Sequence, residues 1–192
     1  MMRHFRFNFV RFGVIYRYAQ KSVHVCYGVV ALTLLGLTLT ASWKNEEEIT
    51  CLARNIYWEG RTEPAHAKRA IGLITLARVL DPRWPGRICD VVFENNQFSW
   101  TRNAELVREH NPQDSENWEE SLRIAKTLYN RSSPLVLPPR WACVRFYKRT
   151  DNADVSANAL NWFQRNLKRV GAFGSHSAYA PKKGCEHPLP TT

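Results

Sequence analysis

From Val23 to Trp43 the chain runs without a single charged residue. A helix needs roughly 20 predominantly apolar residues to cross a bilayer, and this stretch is long enough. Arg3, Arg6, Arg11, Arg17 and Lys21 precede it, and Lys44-Asn45-Glu46-Glu47-Glu48 follows it. The positive-inside rule then places residues 1–22 in the cytoplasm and residue 44 onward outside, as in a single-pass protein of the inner membrane. A buried core helix would be amphipathic, and this stretch is not. A signal peptide cut after Ala41 is the other alternative. Leu39, three residues before that cut, is larger than the small residue usual there, which favours a retained anchor. The expected organisation is a basic cytoplasmic segment at 1–22, a transmembrane anchor at 23–43, one folded domain at 44–181 and a loose tail at 182–192.

Charge narrows the partners without choosing one. Lys and Arg number 27 against 17 Asp and Glu, a net of +10, half of it carried before residue 44. The basic remainder suits an anionic polymer, whether nucleic acid, anionic lipid or cell wall. No zinc-finger spacing or nucleic-acid signature accompanies the basic residues, so nucleic acid is not expected.

Periodicity predicts a mainly helical domain with a small β element. Ile49, Leu52, Ala53 and Ile56 recur at helical steps in a first helix, Glu46 to Trp58, which Asn45 caps. Pro64 suits the first turn of a second helix, striped by Ala67, Ile71, Ile74 and Ala77 and ended by Asp81-Pro82. Ile88 to Phe93 reads as a strand or a short helix. Thr101 to Pro112 is polar. A helix capped by Asp114 or Ser115 runs to Tyr129, with Trp118, Leu122, Ala125 and Leu128 on one face. Ser132 to Pro139 is a Pro-rich loop. Cys143 to Tyr147 alternates as a strand. A last helix spans Ala157 to Val170 and aligns Leu160, Phe163, Leu167 and Val170. No internal repeat is present.

Of five cysteines, Cys26 falls in the apolar span and reads as an apolar residue there. Cys51, Cys89, Cys143 and Cys185 fall after it. Four cysteines in an exported domain predict two disulfides, with three possible pairings. Two rivals are weaker. No pair has the C-x-x-C spacing of a zinc site, and the histidines are scattered. A cysteine nucleophile paired with His176 would not suit an oxidising compartment.

The chemistry centres on Glu59. Continuing the step of the first helix from Ile56 puts Glu59 on the same core-facing side, and Gly60 then ends the helix. Partial desolvation disfavours the anion, and so does the negative end of the helix dipole. A carboxylic acid held protonated near neutral pH is what a general acid requires. The plain alternative is a surface Glu with no role. Glu63 follows four residues later, and its plainer reading is a cap for the second helix or an ion pair with Arg61.

Glu59-Gly60-Arg61-Thr62-Glu63-Pro64 resembles the E-A-R-G-E-P signature of the SleB-type cell-wall hydrolases, the spore cortex-lytic family. Ala77-Arg78-Val79 resembles the family's Asn-Arg-Val helix end. Trp84-Pro85-Gly86-Arg87-Ile88-Cys89-Asp90-Val91-Val92 resembles its F-P-x-T-V-C-x-V-V. Gln97-Phe98-Ser99-Trp100 carries its Gln-Phe-Ser, and Gly174-Ser175-His176-Ser177-Ala178-Tyr179 resembles its closing G-x-H-x-F-Y. The motifs run in order from about Glu48 to Tyr179. Thr62, Ala77 and Ala178 depart from the usual Gly, Asn and Phe, which bears on substrate preference and rate.

The resemblance implies a lysozyme-like domain that cleaves peptidoglycan between N-acetylmuramic acid and N-acetylglucosamine, with Glu59 as catalytic acid. Substrate contacts would come from Glu63, Gln97, Phe98, Ser99, Trp100, His176 and Tyr179. Gln97 and Ser99 can hydrogen-bond sugar hydroxyls and acetamido groups; Phe98 and Trp100 can stack on sugar rings, or in the case of Phe98 pack in the core. His176, in a polar loop, lines the cleft or satisfies a buried carbonyl. One of Tyr57 and Trp58 packs beside the acid. A hydrolase needs a second carboxylate, for which Asp90 and Glu94 are the nearby choices. A lytic transglycosylase needs only one acid, because the muramic acid's C6 hydroxyl attacks, and that route is favoured. No metal or organic cofactor is implied. The rivals are a non-catalytic wall-binding protein and an amidase, whose usual zinc triad is not found. Both bacterial wall remodelling and phage lysis, as an endolysin, fit.

Overall fold

The computed structural model describes residues 45–109, 115–130, 141–150 and 157–183. The basic segment, the charge-free span, the Pro-rich loop and the end of the tail lie outside them. Among the described residues no helix is long and apolar enough to cross a membrane. Contacts divide the chain after Asn45, and the description below concerns the unit from Glu46 onward.

The first helix, α1, covers residues 45–60 and so already includes Asn45. Its stripe behaves as the spacing predicts: Ile49, Leu52, Ala53 and Ile56 are all buried. Glu48 turns inward as well. Its carboxylate accepts from the backbone N of Ile88 at 2.5 Å and from Arg87 Nε at 3.0 Å. It thereby caps the short helix α3 (Ile88–Val92).

Gly60 is still helical, where the sequence suggests it as the residue just past the helix. Its role is close approach. A Cβ there would sit 2.8 Å from Ile71 Cδ1 of the second helix, α2 (Ala65–Val79). Pro64 is the N-cap of α2. Ala67, Ile71, Ile74 and Ala77 of α2 are buried. Gly72 sits where α1, α2 and α5 (Ser115–Tyr129) meet: a Cβ there would lie 2.6 Å from Leu128 Cδ1 and 2.9 Å from Ile56 Cδ1. The polar stretch after Ser99 is more ordered than its composition suggests. It forms a 3-10 turn (Ser99–Arg102) and a short helix α4 (Ala104–Arg108), whose start is capped by Asn103 Oδ1.

The β element is a three-stranded antiparallel sheet in the order β1 (Phe146–Arg149), β3 (His176–Pro181), β2 (Leu167–Phe173). Two expectations fail here. The last helix, α6, stops at Asn166, and Leu167 to Val170 belong to β2. The apolar residues fit a helical step, but Leu167 pairs with Pro181 and Phe173 with His176 across a hairpin turned at Gly174, whose φ is +52°. A register irregularity between Arg169 and Gly171 hides the alternation that would mark a strand. His176 accordingly sits in a strand rather than a polar loop. The strand predicted from Cys143 begins at Phe146 instead.

Cys51 of α1 and Cys89 of α3 form a disulfide. Cys143 is also disulfide-bonded, to a partner outside the described residues.

Candidate active site

Glu59 occupies the last turn of α1, partly covered, on the side that faces the sheet. Desolvation pushes its carboxyl up, and Arg78, the Tyr147 hydroxyl and Arg149 pull it down; the balance lies at about 7. The α1 dipole acts in the same upward direction. Near neutral pH this group is poised between acid and carboxylate, which is the range a general acid–base catalyst uses.

Its surroundings come from elements distant in sequence. Arg78 ends α2 on the core side, one helical step beyond Ile74, and is buried. Its Nε donates to the Arg145 carbonyl at 2.7 Å. Its guanidinium lies over the rings of Phe98, at 5.1 Å, and Phe146, at 5.8 Å. Tyr147 comes from β1. Its buried hydroxyl faces Glu59 and Asn55 but makes no hydrogen bond of ordinary geometry. Desolvation and the nearby carboxylate raise its pKa well above the usual phenol value. Asn55 is fixed one turn before Glu59: it donates to Thr75 Oγ1 at 3.0 Å and accepts from Trp100 Nε1 at 3.1 Å. Tyr57 is buried with its ring edge-on to Trp58 at 4.8 Å, and half-buried Trp58 lies along Trp100 at 6.4 Å. Tyr57, Trp58 and Trp100 thus form a connected aromatic cluster at the end of α1.

The other expected site residues separate into groups. Gln97 and Ser99 keep exposed surface. Phe98 and Trp100 do not offer open faces for sugars, at 3% and 5% exposure. Phe98 packs beneath Arg78, and Trp100 holds Asn55. His176 is 1% exposed, stacked on Phe173 at 5.3 Å and edge-on to Tyr147 at 5.4 Å. Tyr179 is half-buried against Phe163 in the sheet.

Glu63 is a structural clasp. It accepts from the backbone N of Ser175 at 3.0 Å and from the Ser175 hydroxyl. His176 Nδ1 is 3.6 Å from it and Arg149 is 4.0 Å away. Burial alone would raise its pKa, but the Ser175 hydrogen bonds, with His176 and Arg149 nearby, bring it below the ordinary value. It does not cap α2, whose N-cap makes no side-chain hydrogen bond. Of the two candidate second carboxylates, Asp90 is exposed. Glu94 has a buried Oε2 without a hydrogen-bond partner and lies within the field of Arg78. Among the described residues no three His, Cys, Asp or Glu side chains gather as they would around a metal ion.

Arg78, Tyr147 and Arg149 are the neighbours of Glu59 that sequence reasoning missed. A signal existed for Arg78, a charged residue at a core position of α2's stripe. None existed for the other two.

The family model for cell wall hydrolases matches residues 62–179. The chain belongs to the cell wall hydrolase family. The match starts three residues after Glu59, so the case for that residue rests on its geometry. None of the curated proteins compared matches the chain. Two solved structures are similar. One is the catalytic domain of the germination-specific lytic transglycosylase SleB from Bacillus anthracis: 20% identity, 68% of this chain and 92% of that one, TM-score 0.50. The other is the catalytic domain of the Bacillus cereus SleB protein: 19% identity, 69% and 89% coverage, TM-score 0.49. At such identity the Bacillus anthracis structure speaks to the fold, which is the SleB-type fold. Within the family pattern, the departures at Ala77 and Ala178 are both fully buried packing positions, whereas Thr62 is exposed in the turn between α1 and α2.

Proposed function

We propose that this cell wall hydrolase cuts peptidoglycan glycan strands between N-acetylmuramic acid and N-acetylglucosamine as a lytic transglycosylase. Glu59 serves first as acid, then as base. The supporting observation is its carboxyl, at the C-terminal turn of α1, facing Arg78 and Tyr147, with a pKa raised to about 7. Protonated Glu59 gives its proton to the glycosidic oxygen as the bond to muramic acid C1 breaks. The resulting carboxylate takes the proton of the same sugar's C6 hydroxyl, whose oxygen closes onto C1. The product is a 1,6-anhydro end, and Glu59 is protonated again. The Bacillus anthracis relative is a lytic transglycosylase, which supports this route. Of the described surface, Gln97 and Ser99 remain accessible to sugar polar groups.

A hydrolytic reading is favoured by one observation, the buried and unpartnered oxygen of Glu94. It would act as the second carboxylate on water. Mass spectrometry of digested peptidoglycan separates the two, because anhydro and reducing ends differ by one water. Reducing ends alone would overturn the transglycosylase route, and bound but uncut glycan would favour the non-catalytic rival. We further propose that the charge-free span anchors the enzyme, with the domain on the outer side of the inner membrane. A reporter fused after Thr192 is then active outside the cytoplasm; a soluble mature form beginning near Ser42 would make the span a signal peptide.

A further inference from the structure

Arg78 carries a buried positive charge that makes no close ion pair among the described residues. Its side chain is 4% exposed, its Nη1 is buried without a hydrogen-bond partner, and its Nε is committed to the Arg145 carbonyl. Phe98 and Phe146 cover its plane. So placed, it cannot swing out to solvent or readily change orientation. The groups facing it are Glu59 from α1, Glu94 after α3, Tyr147 from β1 and Arg145 just before β1. Those facing Glu59 are Arg78, Tyr147 and Arg149.

We propose that Arg78 is a positioning residue for the acid: a fixed guanidinium whose spare N–H receives the Glu59 carboxylate left behind when the proton has gone to the leaving oxygen. This rests on Glu59 being the acid. Burial alone would make Glu59 reluctant to ionise and so a weak proton donor. A cation that is already oriented and dry stabilises the anion as it forms, without rearrangement at the moment of reaction. It also accounts for an Arg at this place. A neutral side chain would leave the acid's pKa too high, and a solvated cation would act weakly across water. Glu94 faces the same guanidinium, which stays charged whatever the state of Glu59.

The test titrates Glu59 in the full-length chain through its carboxyl ¹³C resonance, and records the pH dependence of peptidoglycan solubilisation alongside. An opposite charge within about 4–6 Å lowers a carboxyl pKa by about 1–3 units. Arg78→Gln therefore raises the Glu59 titration by about one unit or more and moves the alkaline limb of the rate profile by the same amount. Arg78→Lys restores part of the shift. A folded Arg78→Gln with an unmoved Glu59 titration overturns the proposal while leaving the acid in place. If Arg78→Gln does not fold, the wild type still decides: the Arg78 Nη resonances shift with the Glu59 titration and stay flat in Glu59→Gln. Flat Nη resonances in the wild type overturn the proposal. Full wall-degrading activity in Glu59→Gln removes the acid itself, a failure distinct from either.

Discussion

Glu59→Gln keeps the shape of the side chain and its hydrogen-bonding reach but has no proton to give. General acid–base catalysis contributes ~10²–10⁴-fold, so solubilisation of peptidoglycan should fall at least that far while glycan binding survives. In the wild type the rate should decline as pH rises through about 7, because the reaction starts from the protonated acid. The same raised pKa has a cost in stability. Between the ordinary carboxyl value and about 7 the folded state holds a proton that the unfolded chain has released, so stability falls as pH rises through that window. The loss is on the order of 3 kcal/mol. Glu59→Gln should therefore melt higher than the wild type at pH 8 and nearly with it at pH 4. Equal melting temperatures at pH 8 would mean the acid is not strained. Glu63 behaves in the opposite sense. Its folded pKa is depressed, so its contribution is complete above the ordinary carboxyl range and disappears as pH falls through the lower folded value. Gly174→Ala should break this clasp, because a Cβ there would lie 1.9 Å from Glu63 Oε2 on a residue with φ of +52°. The left-handed backbone and the charged hydrogen bond together cost about 2–4 kcal/mol, measurable by urea unfolding. A neutral Gly174→Ala would show that Glu63 can move aside freely.

At the scale of elements, two links hold the frame on which Glu59 and its neighbours sit. Asp81, just after α2, is fully buried and binds Arg83 and the equally buried Arg145, with Arg145 Nε at 3.0 Å. Burial would raise its pKa, but Arg83 and Arg145 bring it to about 2. Asp81→Asn leaves Arg145 buried without its counter-charge, a change that typically costs about 3–5 kcal/mol. Because Arg145 leads directly into β1, activity should fall with stability. Normal melting in Asp81→Asn would refute this. The Cys51–Cys89 disulfide ties α1 to α3 across a separation of 38 residues. Reduction should lower the melting temperature, by an amount corresponding to about 2–4 kcal/mol, and native protein that titrates free thiols at both positions would rule the link out. The elements themselves were legible where an apolar stripe met a cap, as in α1, α2 and α5. The stretch from Leu167 to Val170 was not, because four apolar residues at helical spacing say nothing about a hairpin partner a few residues ahead. Asn103 is the sequence signal for α4, hidden inside a polar run.

Over the whole molecule, Glu59 could be singled out from one helix and one signature, but its setting could not. Arg78, Tyr147 and Arg149 reach Glu59 from α2 and β1, and contacts over such distances leave no trace in local periodicity. Phe98 and Trp100 show the same limit from the other side. Their composition suggests a sugar platform, whereas packing makes Phe98 the floor beneath Arg78 and Trp100 the brace of Asn55. The proposed anchor rests on the length and flanking charge of the charge-free span alone, and its test is the fusion after Thr192.

The clasp between Glu63 and Ser175 joins residues 112 positions apart. Synthesis delivers the chain from its N-terminus, so α1 exists long before the strand that covers its end. Until β1 and the β2–β3 hairpin have emerged, Glu59 lies in water, titrates as an ordinary carboxyl, and is ionised at neutral pH. On the proposed mechanism, catalytic competence therefore arrives late, with the last fifth of the chain rather than with Glu59 itself. On that mechanism a growing chain carries its acid well before the setting that makes it one.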